Sequence, residues 1–442
     1  MTISHKIALI PNNKQKTYFH KAFGCSRLAY NWGLAKWQEY YKQGIKVTHL
    51  DLKKEFNAIK KEQFPFVYEV SKYATQQPFL NLNLAFKKFF RDLKGGKLSY
   101  PKFKRKKEFA GSFYLGGDIV KILQKDNKAY LKVPNLGLVK MRENLRFNSK
   151  INSATISQKG DKYFASFSVE IPQDEFIKTH KIKENKGGIL GIDMGLKSFV
   201  SLSNGLSINA PKPLNKLTRK LKRVSRQLSK KQHPKAKGDK TKKSNNYLKQ
   251  NLKLRKIHTK IANMRNDFLH KLTSILANHY KYFCVESLNV QGMMKNHNLA
   301  RSISDVSFFE FKRMLAYKSA YRGNEVIEAD RFYPSSKTCH CCGYKKEFLT
   351  LSERIFQCEN CGITIDRDYN ASLNLKRYAI NNIGLVQAEF TPEDLTALQS
   401  DLAINRIATS KVDTGYNRNL VCRYLYLFIG FYRFVGTVKE YN

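Results

Sequence analysis

The sequence predicts a multidomain α+β protein, in which an all-β domain interrupted by helices precedes an α/β domain interrupted by a small cysteine-bearing insertion. Three observations predict it. A chain of 442 residues exceeds one typical domain, and 42% hydrophobic with 12% aromatic residues can bury several cores. The hydrophobic period changes in blocks, from strand to helices to strands to a strand–helix mixture. Five of the eight cysteines fall at residues 339–361 with metal-ligand spacing, while Cys25, Cys284 and Cys422 are scattered in apolar surroundings. That usage points to a metal site and not to a secreted disulfide framework.

Residues 4–10, SHKIALI, alternate loosely and stop at Pro11, which predicts a strand. From there to about residue 95 the period is helical, in TYFHKAFGCSRLAYNWGLAKWQEYYKQG and ATQQPFLNLNLAFKKFFRDLKGG, each ending at glycine. Most of their aromatic rings are assigned to core and a minority to base stacking. GGKLSYPKFKRKKEFAGSFYL interleaves cations with rings, which suits either a groove tracking a nucleic-acid backbone or a solvated loop. DIVKIL, AYLKVPNLGLVKM and the hairpin SATISQKGDKYFASFSVEI then predict a small β-barrel or sandwich, completed by the first strand. KTHKIKENKGG marks a boundary near residue 187.

Beyond it, ILGIDMGLKSFVSLSNGLSINAP carries three short strand signals. Leu214, Leu217, Leu221, Val224 and Leu228 stripe one basic helix, and Ile257, Ile261, Met264, Phe268, Leu272 and Ile275 stripe a second. YKYFCVESLNV predicts a buried strand, VSFFEFKRMLAYKSAYRG a helix and NEVIEAD another strand.

Charge narrows the partners. Against 80 Lys+Arg stand 35 Asp+Glu, a net +45, and from Met194 to Asn266 the sole acid is Asp239. Nucleic acid is the expected partner, through phosphate contacts and counterion release; a membrane-surface or ribosome-associated protein is the alternative. MTISHKIALIPNNKQ has no apolar signal core, and the longest apolar run, LYLFIGFYRFVGTV, is short and broken by Arg433. A soluble, cytoplasmic protein without membrane partners is expected.

Three carboxylates carry the chemistry. Asp193 ends the apolar strand in GIDMG, Glu286 ends the strand in FCVESLN, and Asp368 opens the helix of DRDYNASLNL. Taken singly each has an ordinary reading: a turn aspartate, a cap for the following turn, an acid favouring a helix N-terminus. Taken together, the order is strand with Asp, two strands, long helix, strand with Glu, helix, strand, helix with Asp. That is the order of the ribonuclease H-like fold, whose acids converge at one edge of the sheet. A charge at the end of an apolar strand is costly unless it meets a cation. Hard oxygen ligands favour Mg²⁺ or Mn²⁺. Two such ions about 4 Å apart suit phosphodiester hydrolysis. Asp366 is expected to favour the helix N-terminus or to support the site from behind, and Asn370 to orient a ligand or contact phosphate.

In CHCCGYKKEFLTLSERIFQCENC, Cys339 and Cys342 form one C-x-x-C and Cys358 and Cys361 the other, with fifteen residues between. Gly343 and Gly362 follow the pairs, as a zinc ribbon requires, and four thiolates imply a structural ion. Cys341 and His340 are the competing ligands. The ribbon would sit between the last strand and the last helix, fixing where DRDYNAS begins.

At these residues the chain resembles the transposon-encoded TnpB (OrfB) family, relatives of the type V CRISPR effector nucleases. The matching pieces are GIDMGLKSFVSLSNG, HTKIANMRNDFLHKL, VESLNVQGM, RFYPSSKTCHCCGYKK and CENCGITIDRDYNASLNL, with YNWGLAKWQEYY and LAFKKFFRDLKGGKLSYPKFK nearer the start and VDTG closing near residue 415. The resemblance implies an OB-like wedge barrel over residues 1–12 and 96–186 and a helical recognition domain over 13–95. It also implies a RuvC-like nuclease domain over 187–336 and 365–380, split by a zinc ribbon at 337–364, and a carboxy-terminal segment at 381–442. Asp193, Glu286 and Asp368 match the family's catalytic, Mg²⁺-binding acids, and Cys339, Cys342, Cys358 and Cys361 its Zn²⁺ ligands. Implied partners are a guide RNA from the transposon end and double-stranded target DNA, cut beside a short motif by a monomer or weak dimer near the nucleoid. A non-cleaving DNA-binding repressor and a strand-transferring transposase are the alternatives. The aromatic tail after about residue 415 departs from the family and is assigned no site.

Overall fold

The computed structural model describes residues 1–106, 109–147, 149–179, 187–235, 239, 241–350, 352–383 and 392–411. Most of the boundary linker, the VDTG stretch, Cys422 and the aromatic tail lie outside the described residues. The chain divides into two compact units, residues 1–176 with 232–256 and residues 177–231 with 257–442.

The first unit is built on a seven-stranded antiparallel sheet. Its strands are β1 (Thr2–Ile10), β2 (Ala110–Gly116), β3 (Lys121–Lys125), β4 (Lys128–Val133), β5 (Gly137–Met141), β6 (Ile151–Lys159) and β7 (Lys162–Glu170), in the order β2-β6-β7-β1-β5-β4-β3. The amino-terminal strand therefore lies inside the sheet, pairing β7 with Ile7 opposite Ala165 and β5 with Leu9 opposite Met141. The β6–β7 hairpin turns at Gly160, whose φ of 67° admits glycine readily. A closed barrel was one expectation, but among the described residues no pairing joins β2 to β3. β3 has three exposed lysine or glutamine side chains, Lys121, Gln124 and Lys125, which suits an edge that pairs on one side only.

Between β1 and β2 the chain forms α1 (Asn13–Lys42), α2 (His49–Gln63) and α3 (Tyr73–Lys94). Asn12 and Gln15 start α1 as a reciprocal capping box, and Thr48 with Asp51 does the same for α2. Tyr30 and Leu34 of α1, Leu52 and Phe56 of α2, and Phe79, Leu82 and Phe86 of α3 share one core, against which Trp37 stacks on Phe86 at 4.1 Å. The rings are therefore mostly structural, as their helical spacing indicates.

The short helix α4 (Gln173–Thr179) follows β7. The second unit has a six-stranded sheet of β8 (Gly187–Met194), β9 (Val200–Leu202), β10 (Leu206–Ile208), β11 (Tyr280–Glu286), β12 (Glu325–Ala329) and β15 (Thr409–Lys411), in the order β12-β11-β8-β9-β10-β15. β8, β9 and β10 are antiparallel, whereas β11 and β12 run parallel to β8. β15 adds to the edge of β10, an unforeseen partner. The helices are α5 (Pro213–Ser229), α6 (Asn245–His279, of which residues 257–279 belong to this unit), α7 (Val290–Met293), α8 (His297–Val306), α9 (Phe308–Tyr321), α10 (Arg367–Ile383) and α11 (Pro392–Ile404). Helix α5 has no side-chain cap of its own; Asp305, at the end of α8, accepts Leu214 N at 3.0 Å and Asn215 N at 3.1 Å and pairs with Arg265. Among the described residues no helix is long and apolar enough to cross a membrane.

Pleating sorts the sheet's side chains by period two. Leu190, Ile192 and Met194 of β8 and Phe283 and Val285 of β11 enter one core with residues of α6, α8, α9 and α11. Ile189 and Cys284 point to the opposite face, packing on Leu375 and Ala379 of α10. Gly191 belongs to that second face and permits its closest approach. A Cβ there would fall 1.9 Å from Ser372 O and 2.6 Å from Lys376 N. Gly191→Ala is expected to push α10 off the sheet and cost about 3 kcal/mol or more. A wild-type midpoint in denaturant would refute that close approach.

Candidate metal centres

The same alternation places the acids. Asp193 is two residues after Gly191 in β8, and Glu286 two after Cys284 in β11, so both belong to the face that α10 covers. Ile192 pairs with Val285, which brings the next residues, Asp193 and Glu286, to the same end of neighbouring parallel strands, about 5 Å apart in backbone. Asp368 stands in the first turn of α10. Burial raises the Asp193 carboxyl well above the ordinary carboxylate range, the charges of Glu286 and Asp368 raise it further, and Arg367 opposes them. Glu286 is raised by burial; a hydrogen bond from Ser335 opposes this, while Asp368 adds to it. Three chain-distant carboxylates thus interact electrostatically.

They do not converge as a tight ligand cluster. Asp368 Oδ1 instead accepts from Arg367 Nε and Nη2, each at 3.3 Å, and its Oδ2 lies 3.9 Å from Arg354 Nη1. Chemically the set still fits a hard divalent cation: all donors are carboxylate oxygens, and two of them are destabilised by burial beside like charge.

Among the described residues, the one tightly converging group is Cys339, Cys342, Cys358 and Cys361, with all four sulfurs within 4.8 Å. The 3.7 Å from Cys339 to Cys361 and 3.5 Å from Cys342 to Cys358 match the edge, about 3.8 Å, of a tetrahedron with Zn–S bonds of about 2.3 Å. Two matching knuckles build it. Cys339 N donates to Tyr344 O and Gly343 N to Cys339 O; Cys358 N donates to Ile363 O and Gly362 N to Cys358 O. Gly343 and Gly362 have φ of 79° and 72°, a left-handed turn that a Cβ would strain. Cys341 stays outside the group, and His340 faces Asn370 instead. Under the knuckles β13 (Ile355–Gln357) and β14 (Thr364–Asp366) pair, burying Phe356 and Ile365.

β14 runs directly into α10, and the ribbon is bolted to that helix. Asn370, expected to meet a ligand or phosphate, is fully buried: its Nδ2 donates to Thr338 O at 2.7 Å, and its Oδ1 accepts His340 N at 3.0 Å. Asn374 Nδ2 donates to Ser335 O at 2.8 Å, holding the residue that bonds Glu286. Asp366 caps Tyr369 N at 2.9 Å, as its position before the helix indicates. Ser335, Asn374, Arg354 and Arg367 were not singled out from sequence; the run RFYPSSK was the available signal for Ser335.

Two cavities among the described residues carry clustered cations. In the first unit a cavity of about 930 Å³ is lined by Arg27, Gln77, Asn81, Phe103, Lys104 and Tyr114 among others. Lys104 lies 3.8 Å over the Tyr30 ring and its backbone pairs with Asn31, which anchors the middle of an otherwise exposed, irregular basic stretch. In the second unit Arg219, Lys222, Arg223, Arg226 and Lys230, with Gln227 among them, line a strongly basic groove along α5 and its C-terminal end.

Three family models match: "Cas12f1-like, TNB domain" over residues 308–375, the OrfB IS605 "Probable transposase" over 166–297, and an OrfB IS605 "Helix-turn-helix domain" over 1–46. Over that last span the structure has one strand and one long helix. A Streptomyces pristinaespiralis protein named "Putative RNA-guided DNA endonuclease" is 31% identical over 374 residues, 84% of this chain and 87% of the relative. An Escherichia coli K12 protein, "Putative RNA-guided DNA endonuclease InsQ", is 28% identical over 84% of this chain and 90% of its own length. Among solved structures, the protein of a Cas12f1-sgRNA-target DNA complex superposes with a TM-score of 0.51 at 16% identity, covering 80% of this chain and 81% of that one. That likeness concerns the fold alone.

Proposed function

The chain belongs to the TnpB (OrfB) family of IS605-type transposable elements, related to Cas12f, and from that premise we propose that it cuts DNA under RNA guidance at the Asp193–Glu286–Asp368 face. The observation that supports this reading is that a β8 acid, a β11 acid and the first turn of α10 lie on one side of the sheet, close enough to perturb one another. The sheet order, three antiparallel strands with two parallel ones beyond the first, supports a ribonuclease H-like nuclease domain over residues 187–336 and 365–380, with the ribbon at 337–364. Residues 1–12 and 96–186 are read as the wedge, 13–95 as the recognition helices, and 381–442 as a carboxy-terminal segment.

In this scheme Asp193, Glu286 and Asp368 hold Mg²⁺ or Mn²⁺, with Ser335 fixing the direction of Glu286. Divalent ions held there would supply activation of a water and charge stabilisation for in-line phosphodiester attack. The α5 cations hold phosphates, and the amide and aromatic groups of the first-unit cavity suit contact with a short duplex motif while base pairing with guide RNA selects the target. The four cysteines hold structural zinc.

The test is cutting by the protein purified with transposon-end RNA, on a plasmid library with Mg²⁺. Site-dependent breaks lost in EDTA and in Asp193→Ala are expected. No breaks, or equal breaks from Asp193→Ala, would overturn the reading.

A further inference from the structure

Asp368 is the acid whose surroundings the nuclease reading leaves unexplained. Both of its oxygens face guanidinium groups, Arg367 on Oδ1 and Arg354 on Oδ2. Arg367 is not a loose surface side chain: it is 13% exposed, against 46% for Arg354. Its Nη1 donates to Thr350 O at 3.3 Å, and its backbone N donates to Arg354 O at 2.8 Å. The backbone and the third guanidinium nitrogen are thus tied to the cysteine ribbon, while the other two nitrogens lie on the carboxylate. Its charge also reaches Asp193, whose carboxyl it pulls back toward the ionised form.

We propose that Arg367 is a built-in competitor for the divalent cation at Asp368, held in the competing position by the ribbon. This rests on the assignment of the three acids as a cation site. A metal ion drawing on Asp368 must either share oxygens already bonded to a guanidinium or displace it. Sharing sets like charges a few ångströms apart in a half-buried place, where salt screens weakly. Displacement breaks two charge-assisted bonds. Either route weakens cation binding and keeps the Asp368 carboxylate paired within the protein itself. Arg367 is accordingly a positioning residue that sets the cation threshold. Arg354, farther away and more exposed, has the same sign of effect and a smaller size.

The experiment is Mn²⁺ titration of the zinc-loaded full chain, freed of nucleic acid, with free Mn²⁺ read by its EPR signal. Wild type is compared with Arg367→Gln, Arg354→Ala and Asp193→Asn. Removing a full charge beside a carboxylate is worth at least one decade, so Arg367→Gln is expected to bind the first Mn²⁺ about tenfold more tightly. Arg354→Ala should tighten it by a smaller factor, and Asp193→Asn should weaken it. Unchanged or weaker binding in Arg367→Gln with zinc retained overturns the proposal and makes Arg367 a support for Asp368. If Arg367→Gln fails to retain zinc, Arg354→Ala decides: tighter binding supports competition, and unchanged binding overturns it. Wild-type affinity in Asp193→Asn would instead sink the site assignment itself, whatever the arginine variants do.

Discussion

Asp193→Asn is expected to lower DNA cutting by about a thousandfold or more while making the metal-free protein more stable. The first effect follows from losing a cation ligand whose charge stabilisation is worth several kcal/mol, each 1.4 kcal/mol being about tenfold in rate. The second follows from the direction of the pKa shift. Burial, Glu286 and Asp368 raise the Asp193 carboxyl above its ordinary value. For an acid raised by folding, the native state binds more protons than the unfolded chain. Stability is therefore lost as pH climbs from the ordinary carboxyl range through the raised pKa. At neutral pH in EDTA the wild type carries that cost and the amide does not. The melting temperature of Asp193→Asn should exceed wild type there, by roughly 2–4 °C for each kcal/mol relieved. The gap should close toward acid pH, where the wild-type carboxyl is protonated, and shrink with Mg²⁺, which stabilises only the protein that binds it. A variant less stable at every pH, indifferent to Mg²⁺ and still cutting would show that Asp193 is an ordinary turn residue.

Cys358→Ser carries the second large effect. Apart from two cysteines, Phe356 and Ile365 are the fully buried side chains of the ribbon's small core, so its order leans on the metal; structural zinc contributes about 10–16 kcal/mol of apparent binding energy in small modules. Loss of one thiolate should release the ion and open residues 337–366 to rapid hydrogen exchange, while β8 and β11, buried between α10 and the opposite core, stay protected. Cutting should fall with all three acids intact, because Thr338, His340 and Arg354 no longer hold the start of α10. Zinc content, exchange and cutting measured on one preparation check it. A zinc-free variant with wild-type exchange and cutting would disconnect the ribbon from Asp368.

What the sequence by itself determined about this chain is whatever fits within a local window. The two C-x-x-C pairs with their glycines read directly as one four-sulfur group, because chelation needs only short loops of the right length. The 3.6 period of residues 13–95 located the α1–α3 core, and the short apolar runs located β8 and β11 with acids at their ends. Once those runs are strands, pleating puts Asp193 on the face of Gly191 and Glu286 on that of Cys284. Only the tertiary structure decided what those faces meet. The 1.9 Å approach that reserves position 191 for glycine depends on a helix some 180 residues away, and nothing near GIDMG specifies it. The bond of Ser335 to Glu286, the burial of Asn370 beneath the ribbon, the addition of β15 to β10 and the two arginines on Asp368 are likewise pairings between remote segments. A side chain's own neighbours in sequence set which way it points; its partner, and hence its charge state and its role, is set by whichever element packing brings opposite it.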